Sequence, residues 1–241
     1  MILIVPCYNE ANRINSKTWI VNANLFTGII FVNDGSTDNT IKIINQLISQ
    51  AEKKQITNIK LHILDTNQGK AEAIRAGVLY AKNIFSEEKY LGYCDADLST
   101  PLNEMHRLFK KCQTNQNGFL LGSRVKLSGF NVKRSGIRHY LGRASATLIS
   151  LMLKITVYDT QAGAKIFNSQ HADTLFKEKF ISRWLFDCEL ILRAQQDGIS
   201  VYEEPLRTWI HQDNSSKVNF SSYIKSLIDL IKIRNKYTQS N

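Results

Sequence analysis

The chain has 241 residues, of which 43% are hydrophobic and 22% charged, so it can bury a core and is not expected to be disordered, collagen-like or of low complexity. Its formal net charge of +10 makes phosphate esters, anionic lipids and nucleic acids candidate partners. No apolar run reaches the roughly 20 residues of a membrane-spanning helix and no secretory signal opens the chain, so we expect a cytoplasmic protein. Its cysteines form no CxxC pair, so we expect neither disulfides nor structural zinc.

The first hundred residues predict strands that alternate with helices. Short aliphatic runs are typical of buried parallel strands, and apolar residues at helical spacing indicate the helices between them. The predicted strands are residues 1–5, 28–32, 59–64 and 90–94, and the predicted helices are residues 40–54 and 70–83. This order implies a mostly parallel sheet with helices on both faces, in which ligands bind at the carboxyl ends of the strands.

The rest of the chain is less regular. The predicted helices are residues 102–113, 141–154, 183–196 and 222–236, the predicted strands are residues 119–122 and 200–204, and residues 128–138 form a predicted polar loop. Residues 106–157, here called the basic segment, carry ten Lys or Arg residues and no Asp or Glu. Such a segment indicates a surface for polyanions, and the alternative is a solvated face that only aids solubility.

Polar loops follow three of the predicted strands. Residues 6–10 (PCYNE) follow the first strand, and residues 33–38 (NDGSTD) follow the second, where an Asp-Gly turn with a helix cap is the ordinary interpretation. Asp95 and Asp97 end the fourth strand, and two carboxylates so placed can bind a hard divalent cation, Mg²⁺ or Mn²⁺, together with diphosphate oxygens. The alternative is a polar turn in which Asp97 caps the next helix.

Four motifs in this order resemble those of the family 2 glycosyltransferases, which have the GT-A fold. They are PCYNE, NDGSTD, NQGKAEAIRAG (residues 67–77) and DADLSTP (residues 95–101). Residues 159–167 (DTQAGAKIF) and 183–190 (RWLFDCEL) are similar to the branch that acts on dolichyl and polyprenyl phosphates. The resemblance spans residues 2–217 and implies an α/β fold with a Rossmann-like, mostly parallel sheet. Neither GxGxxG nor a Walker motif is present, which disfavours dinucleotide oxidoreductases and Walker ATPases.

The resemblance implies a nucleoside-diphosphate sugar as donor, UDP-glucose first among them, a divalent metal, and inversion at the anomeric carbon. It assigns the metal to Asp97 with Asp95. Lys70, next to a predicted helix N-terminus, can also reach a diphosphate. Two departures are Asn33, where many relatives have a second Asp, and His211 in place of an arginine, so the nucleotide base stays open. The nucleotide-sugar residues implied by position are Pro6, Tyr8, Glu10, Val32, Asp34, Lys70, Asp95, Ala96, His211 and Lys217.

For the acceptor, the resemblance implies a phosphate site in the basic segment. Its residues by position are Arg124, Arg134, Ser135 and Arg138, and guanidinium groups suit such an oxyanion. A phosphate monoester has its second pKa near 6, so at neutral pH it can attack the anomeric carbon without a general base. A hydroxyl acceptor would instead need a base, for which Asp187 is the first candidate and Glu189 the second. The alternative makes both acids helix-surface or capping residues.

The sequence therefore predicts transfer of a hexose, glucose first, to a polyprenyl or dolichyl phosphate at the cytoplasmic face of a membrane. One alternative is transfer to a hydroxyl in polysaccharide or cell-surface glycan synthesis. A polyanion-binding module is the remote alternative, and we expect no nucleic-acid partner because stacking aromatics are not interleaved with the basic residues. The predicted nucleotide-sugar part is residues 1–100 and the acceptor part residues 101–217 of one glycosyltransferase domain.

Residues 218–241 predict a C-terminal amphipathic helix with basic residues. Between Tyr223 and Tyr237, Lys and Arg residues are interspersed with apolar residues, and the only acid is Asp229. Such a helix can lie peripherally in a membrane interface. It can equally pack on the catalytic domain or on a second subunit, which leaves a homo-oligomer open.

Overall fold

The computed structural model describes residues 1–114, 118–133, 147–210 and 220–238. The strands are β1 (Ile2–Cys7), β2 (Gly28–Asp34), β3 (Ile59–Leu64), β4 (Tyr90–Tyr93), β5 (Phe119–Ser123), β6 (Asn131–Lys133), β7 (Lys165–Asn168), β8 (Val201–Pro205) and β9 (Thr208–Ile210). The helices are α1 (Ser16–Asn22), α2 (Thr40–Glu52), α3 (Lys70–Ile84), α4 (Leu102–Thr114), α5 (residues 147–153), α6 (Ala172–Phe176), α7 (Phe186–Gln196) and α8 (Phe220–Thr238).

A seven-stranded sheet has the order β3-β2-β1-β4-β7-β5-β8. Strands β1 to β4 pair in parallel, and β5 pairs in parallel with β8, whereas β7 runs antiparallel to both β4 and β5. A small second sheet pairs β6 with β9. The predicted mostly parallel sheet is confirmed, and the carboxyl ends of β1, β2 and β4 lie side by side at one edge.

The core has two layers, one on each face of the sheet, because successive strand residues point to opposite sides. In β1, Ile2 and Ile4 belong to the layer beneath α3, α7 and α8, whereas Leu3 and Val5 belong to the layer beneath α1, α2 and α4. Helix α3 approaches the sheet closely at Gly77, where a Cβ would lie 2.6 Å from a methyl carbon of Ile4. The predicted helices on both faces are therefore confirmed.

Several predicted boundaries were wrong for identifiable reasons. Helix α7 begins at Phe186 rather than Arg183, because Ser182 Oγ accepts hydrogen bonds from the backbone amides of Trp184 and Leu185 and holds a turn there. Strand β8 includes Pro205, which an edge strand tolerates. The predicted loop 128–138 contains β6. Residues 141–146 of one predicted helix lie outside the described residues.

Helix α8 packs on the domain along one face. Leu230, Ile233 and Tyr237 are buried, and Arg193 Nε on α7 donates a hydrogen bond of 3.1 Å to Tyr237 Oη. The opposite face has an apolar stripe of three half-exposed residues: Leu227, Ile228 and Ile231. Within the described residues, no helix is long and apolar enough to cross a membrane. All four cysteines are buried and free, as predicted.

Candidate active site

The loops after β1 and β2 are joined by hydrogen bonds at the edge of the sheet. Asn9 Oδ1 accepts a bond of 2.9 Å from the Thr37 amide, and Asp38 Oδ2 accepts one of 3.2 Å from the Ala11 amide. Asp38 Oδ1 also accepts from the Thr40 amide at the start of α2. The second loop is thus a turn in which Asp38 binds the first amide of α2, although the N-cap residue, Asn39, makes no side-chain capping bond. It also fixes the first loop in place.

Asp34, at the end of β2, is buried and holds the loop that precedes α3. Its two carboxylate oxygens accept hydrogen bonds of 2.7 Å and 2.8 Å from the backbone amides of Gln68 and Gly69. Gly69 has a φ of +96°, and a Cβ there would contact the aliphatic stem of Arg183. Asp34 therefore positions the loop that carries Lys70 next to the end of β2.

Lys70, the first residue of α3, forms an ion pair with Asp95. Burial would lower the pKa of Lys70, but the carboxylates of Asp95, Asp187 and Asp97 outweigh this effect and raise it. On its other side Asp95 faces Gly163, where a Cβ would lie 2.1 Å from Oδ2. The structure therefore brings three of the motifs together around the Asp95 carboxylate.

Negative charge accumulates where β1 and β4 end. The pKa of Glu10 is raised to about 7, chiefly by burial and also by the charges of Asp97, Asp95 and Asp38, against the lowering effect of Arg13. Asp97 Oδ1 accepts a hydrogen bond of 2.9 Å from the Ser99 amide, so the turn that was the alternative for Asp97 is present. Within the described ranges, no group of three or more His, Cys, Asp or Glu side chains is arranged to hold a metal.

The other predicted nucleotide-sugar residues lie near this edge. Pro6 and Val32 are paired in the register of β1 and β2, Tyr8 exposes its ring in the first loop, and Ala96 is buried between the two aspartates. His211 and Lys217 lie outside the described residues, as do Arg134, Ser135 and Arg138 of the predicted acceptor site.

Arg124, the described member of the predicted acceptor site, is held by Asp159. Its Nε and Nη2 donate hydrogen bonds of 2.7 Å to the two oxygens of that carboxylate, and its backbone amide donates a third. Although burial lowers the pKa of Arg124, the bonds to Asp159 and that residue's charge raise it overall. The Asp159 amide in turn donates to Glu203, so the guanidinium has a fixed orientation.

In the folded protein, acids from other parts of the chain thus offset part of the positive charge of the basic segment. Arg124 pairs with Asp159, and Arg107 pairs with Glu104 and Glu204. All three acids lie outside residues 106–157, a range that itself contains no Asp or Glu. Part of the positive charge therefore stabilises the fold, because folding brings these acids to the segment.

Asp187, the predicted base, is buried beneath the site. Its Oδ1 accepts a hydrogen bond of 2.7 Å from Tyr93 Oη and lies 2.7 Å from Lys165 Nζ. Burial raises the pKa of Tyr93, and the Asp187 charge raises it further. Neither Tyr93 nor Lys165 is predicted as a site residue from the sequence, in which the one available signal is a lysine within the apolar run of residues 164–167.

Glu189, the second candidate base, is buried farther along α7. It accepts hydrogen bonds from the backbone amides of Ile181 and Ser182, and burial raises its pKa above the usual value for a glutamate. These bonds hold the turn before α7, and Glu189 is neither on the helix surface nor at the N-cap of α7, which is Leu185.

The sheet order, the helices on both faces and the acidic strand ends are those of a glycosyltransferase with the GT-A fold. The chain belongs to glycosyl transferase family 2, whose sequence model matches residues 2–180. The dolichyl-phosphate beta-glucosyltransferase of Dictyostelium discoideum is 32% identical over 98% of this chain and 74% of its own length. The human dolichyl-phosphate beta-glucosyltransferase is 29% identical over 98% of this chain and 75% of its own length.

Two solved structures have a similar fold. Glucosyl-3-phosphoglycerate synthase from Mycobacterium tuberculosis, solved with UDP, has a TM-score of 0.67 at 13% identity and covers 97% of this chain and 79% of its own. A mannosyltransferase from Pyrobaculum calidifontis, solved with GDP-mannose and Mn²⁺, has a TM-score of 0.64 at 17% identity and covers 100% of this chain and 64% of its own.

Proposed function

We propose that this protein transfers glucose, with inversion, from a nucleoside-diphosphate sugar to dolichyl phosphate or a related polyprenyl phosphate. The observation that carries the proposal is the cluster of Lys70, Asp95 and Asp97 at the joined strand ends, in a chain whose relatives bear the name dolichyl-phosphate beta-glucosyltransferase. The donor proposed is UDP-glucose.

The donor diphosphate would bind beside Asp95 and Asp97. The pKa of Glu10 is raised chiefly by burial and further by the charges of Asp97 and Asp95, so negative charge is concentrated here and a divalent cation would offset it. Asp97 with Asp95 would hold Mg²⁺ or Mn²⁺, and this ion would offset the charge that develops on the leaving diphosphate. Because few protein carboxylates are available, phosphate oxygens and water would complete its coordination.

Lys70 has two roles in this proposal. Its amine pairs with Asp95 in the structure, and it lies at the N-terminus of α3, where backbone amides also favour anions. A donor diphosphate at this helix end would share the amine with Asp95. Asp34 would then act indirectly, because its bonds to Gln68 and Gly69 hold the loop that presents Lys70.

The acceptor phosphate would be bound by Arg124 together with Arg134, Ser135 and Arg138. A phosphate oxygen would form a bond to the anomeric carbon while the bond from that carbon to the nucleoside diphosphate breaks, so the configuration inverts. The attacking oxygen of a dianion carries no proton, and no general base is needed. The burial of Asp187 against Lys165 and Tyr93 supports a phosphate acceptor over a glycan hydroxyl, which would require a base open to the acceptor.

Peripheral binding at the cytoplasmic face of a membrane is part of this proposal, because the acceptor is a lipid. The half-exposed apolar stripe of α8 lies between exposed Lys225 and Lys232, and Leu148 and Leu151 on α5 are also exposed. A helix with this pattern can lie in the interface, where each lysine near an anionic leaflet contributes about 1 kcal/mol. A second copy of this chain, covering the same stripe in a homo-oligomer, is the competing occupant.

The test is transfer of radiolabelled sugar into an organic-extractable lipid. UDP-glucose, UDP-galactose and GDP-mannose would each be supplied with dolichyl phosphate, and dolichol without the phosphate would be the matched acceptor control. We expect label in the lipid phase only in the reaction that contains both UDP-glucose and dolichyl phosphate. Transfer to dolichol or to an oligosaccharide, with none to dolichyl phosphate, would overturn the proposal.

A further inference from the structure

A lysine is buried directly beneath the candidate active site. Lys165, the first residue of β7, has no exposed surface, and its Nζ lies 2.7 Å from Asp187 Oδ1 and donates a hydrogen bond of 2.6 Å to the Ala162 carbonyl. An ammonium group in such a position costs several kcal/mol unless it is paired and hydrogen-bonded. Since Lys165 is shielded from any ligand at the surface, its role must be exerted through its neighbours.

One neighbour is the turn that lies against Asp95. The carbonyl that Lys165 binds belongs to the peptide between Ala162 and Gly163. The Asp95 carboxylate occupies the space that a side chain at Gly163 would fill, with Oδ2 at 2.1 Å from the Cβ position. A shift of this peptide would therefore move the Asp95 carboxylate or open a gap beside it.

The other neighbour of Lys165 is Tyr93, which is connected to Asp95 through the backbone at the end of β4. Tyr93, two residues before Asp95, lies opposite Lys165 in the register of β4 and β7. Its hydroxyl donates to the same Asp187 oxygen that Lys165 contacts. Asp187 thus joins the strand that ends at Asp95 to the lysine that holds the facing turn, and both connections are buried.

We propose that Lys165 and Asp187 form a buried pair whose role is to position Asp95 for the donor diphosphate and its divalent cation. Asp187 acts in this pair as the counter-charge of Lys165 and as the acceptor of the Tyr93 hydroxyl, and Lys165 is a positioning residue. This inference rests on the proposed function for the identity of the ligand. It adds that binding of the donor depends on Lys165, a residue that touches neither the donor nor the acceptor.

The test uses the double variant Lys165→Met/Asp187→Asn, because either single change would leave one buried group without its counter-charge and so destabilise the protein. The double change removes both charges, keeps the side-chain volumes similar and leaves an oxygen to accept from Tyr93. Binding of UDP in the presence of Mn²⁺ is measured by calorimetry, the unfolding temperature by scanning calorimetry, and KM separately for UDP-glucose and dolichyl phosphate.

We expect the double variant to fold but to bind UDP with Mn²⁺ roughly 10- to 100-fold more weakly, the range seen when outer-sphere partners of a metal ligand are lost. KM for UDP-glucose should rise, and KM for dolichyl phosphate should not. The matched control is Arg75→Met/Glu72→Gln, which removes a partly buried ion pair on α3 that faces Phe176 and Lys177 instead of Asp95. This control should bind UDP as the wild type does.

Unchanged UDP and Mn²⁺ affinity in a folded double variant would overturn the inference. It would also be overturned if Asp187→Asn alone lowered kcat, abolished the acidic limb of the pH–rate profile and left UDP binding intact, since that is the behaviour of a general base. Failure of the proposed function appears differently, as wild-type protein that binds UDP with Mn²⁺ yet transfers no glucose to dolichyl phosphate.

Discussion

Gly163 lies directly against the carboxylate of Asp95, so close that a Cβ atom at position 163 would be 2.1 Å from Oδ2. These residues belong to motifs separated by more than sixty positions in the chain, and they meet because β7 runs antiparallel beside β4. The contact leaves no room for a side chain at position 163, since a Cβ there would displace the carboxylate that the proposed function assigns to the divalent cation.

Gly163→Ala should therefore lower activity far more than stability. Displacing a reacting group by about 1 Å costs on the order of 100-fold in rate, so we expect at least that loss in kcat/KM for UDP-glucose. The control is Gly129→Ala, where no atom lies within 4 Å of the added Cβ and the φ of +81° strains the backbone, so this change should lower stability and leave activity nearly unchanged. Steady-state kinetics and thermal unfolding would check this prediction, and a loss of equal size in the control would argue against it.

Removal of the metal or of Asp97 should abolish transfer. Asp97→Ala takes one carboxylate from a site that offers few, so the affinity for UDP with Mn²⁺ should fall to the level seen with EDTA. Added Mn²⁺ or Mg²⁺ should restore the chelated wild type and not the variant. Asp65→Ala, at an exposed position after β3, is the control for loss of a charge. Full activity of the wild type in excess EDTA would remove the metal from the mechanism.

Glu10 should make the metal-free protein less stable as the pH rises. Its pKa is raised from 4.5 to about 7, so below pH 4.5 both folded and unfolded states bind the proton and the shift has no effect on stability. Above pH 7 the folded carboxylate is charged, and its full penalty, at most about 3 kcal/mol, destabilises the fold. Glu10→Gln should therefore be more stable than the wild type at pH 8 and equal to it near pH 4.5.

Urea unfolding at the two pH values in EDTA would measure this difference. Glu52→Gln, an exposed change at the end of α2, should show no such pH dependence. A gain in stability from Glu10→Gln that is equal at both pH values would contradict the assignment of the raised pKa to Glu10.

Arg124→Ala should weaken binding of the acceptor phosphate and leave binding of the donor unchanged. Loss of a charge-assisted hydrogen bond to phosphate costs about 1.5–3 kcal/mol, so KM for dolichyl phosphate should rise roughly 10- to 100-fold. Asp159→Asn should have a smaller effect in the same direction, because it loosens the guanidinium without removing it. Lys126→Ala, exposed in the same segment, is the control. Weaker UDP binding with an unchanged acceptor KM would reassign Arg124 to the donor.

The two faces of α8 should respond differently to substitution. Ile233→Ala removes a fully buried side chain and should destabilise the domain by about 2–4 kcal/mol. Ile231→Ser changes a half-exposed residue and should leave unfolding nearly unchanged while reducing flotation with anionic vesicles. Flotation and denaturant unfolding of both variants would separate the faces. If Ile231→Ser floated normally but altered the sedimentation of the protein, a second copy of the chain would be the occupant of this stripe.

Local patterns in the sequence determined the alternating strands and helices, and with them the place of the site. The motifs that contain Glu10, Asp34 and Asp95 each follow an apolar run, and the carboxyl ends of parallel strands meet at one edge of a sheet. That inference needs only hydrophobic periodicity and chain order. The ion pair between Lys70 and Asp95 is given only by the structure.

Only the tertiary structure decided which charges are paired. Arg124 meets Asp159 and Arg107 meets Glu204 because β5 lies between β7 and β8, an order that local sequence does not contain. The burial of Lys165 depends likewise on the antiparallel insertion of β7 between β4 and β5. Long-range strand pairing sets which side chains share a dry interior, and this pairing turns Asp187 from a surface candidate for catalysis into the buried partner of a lysine.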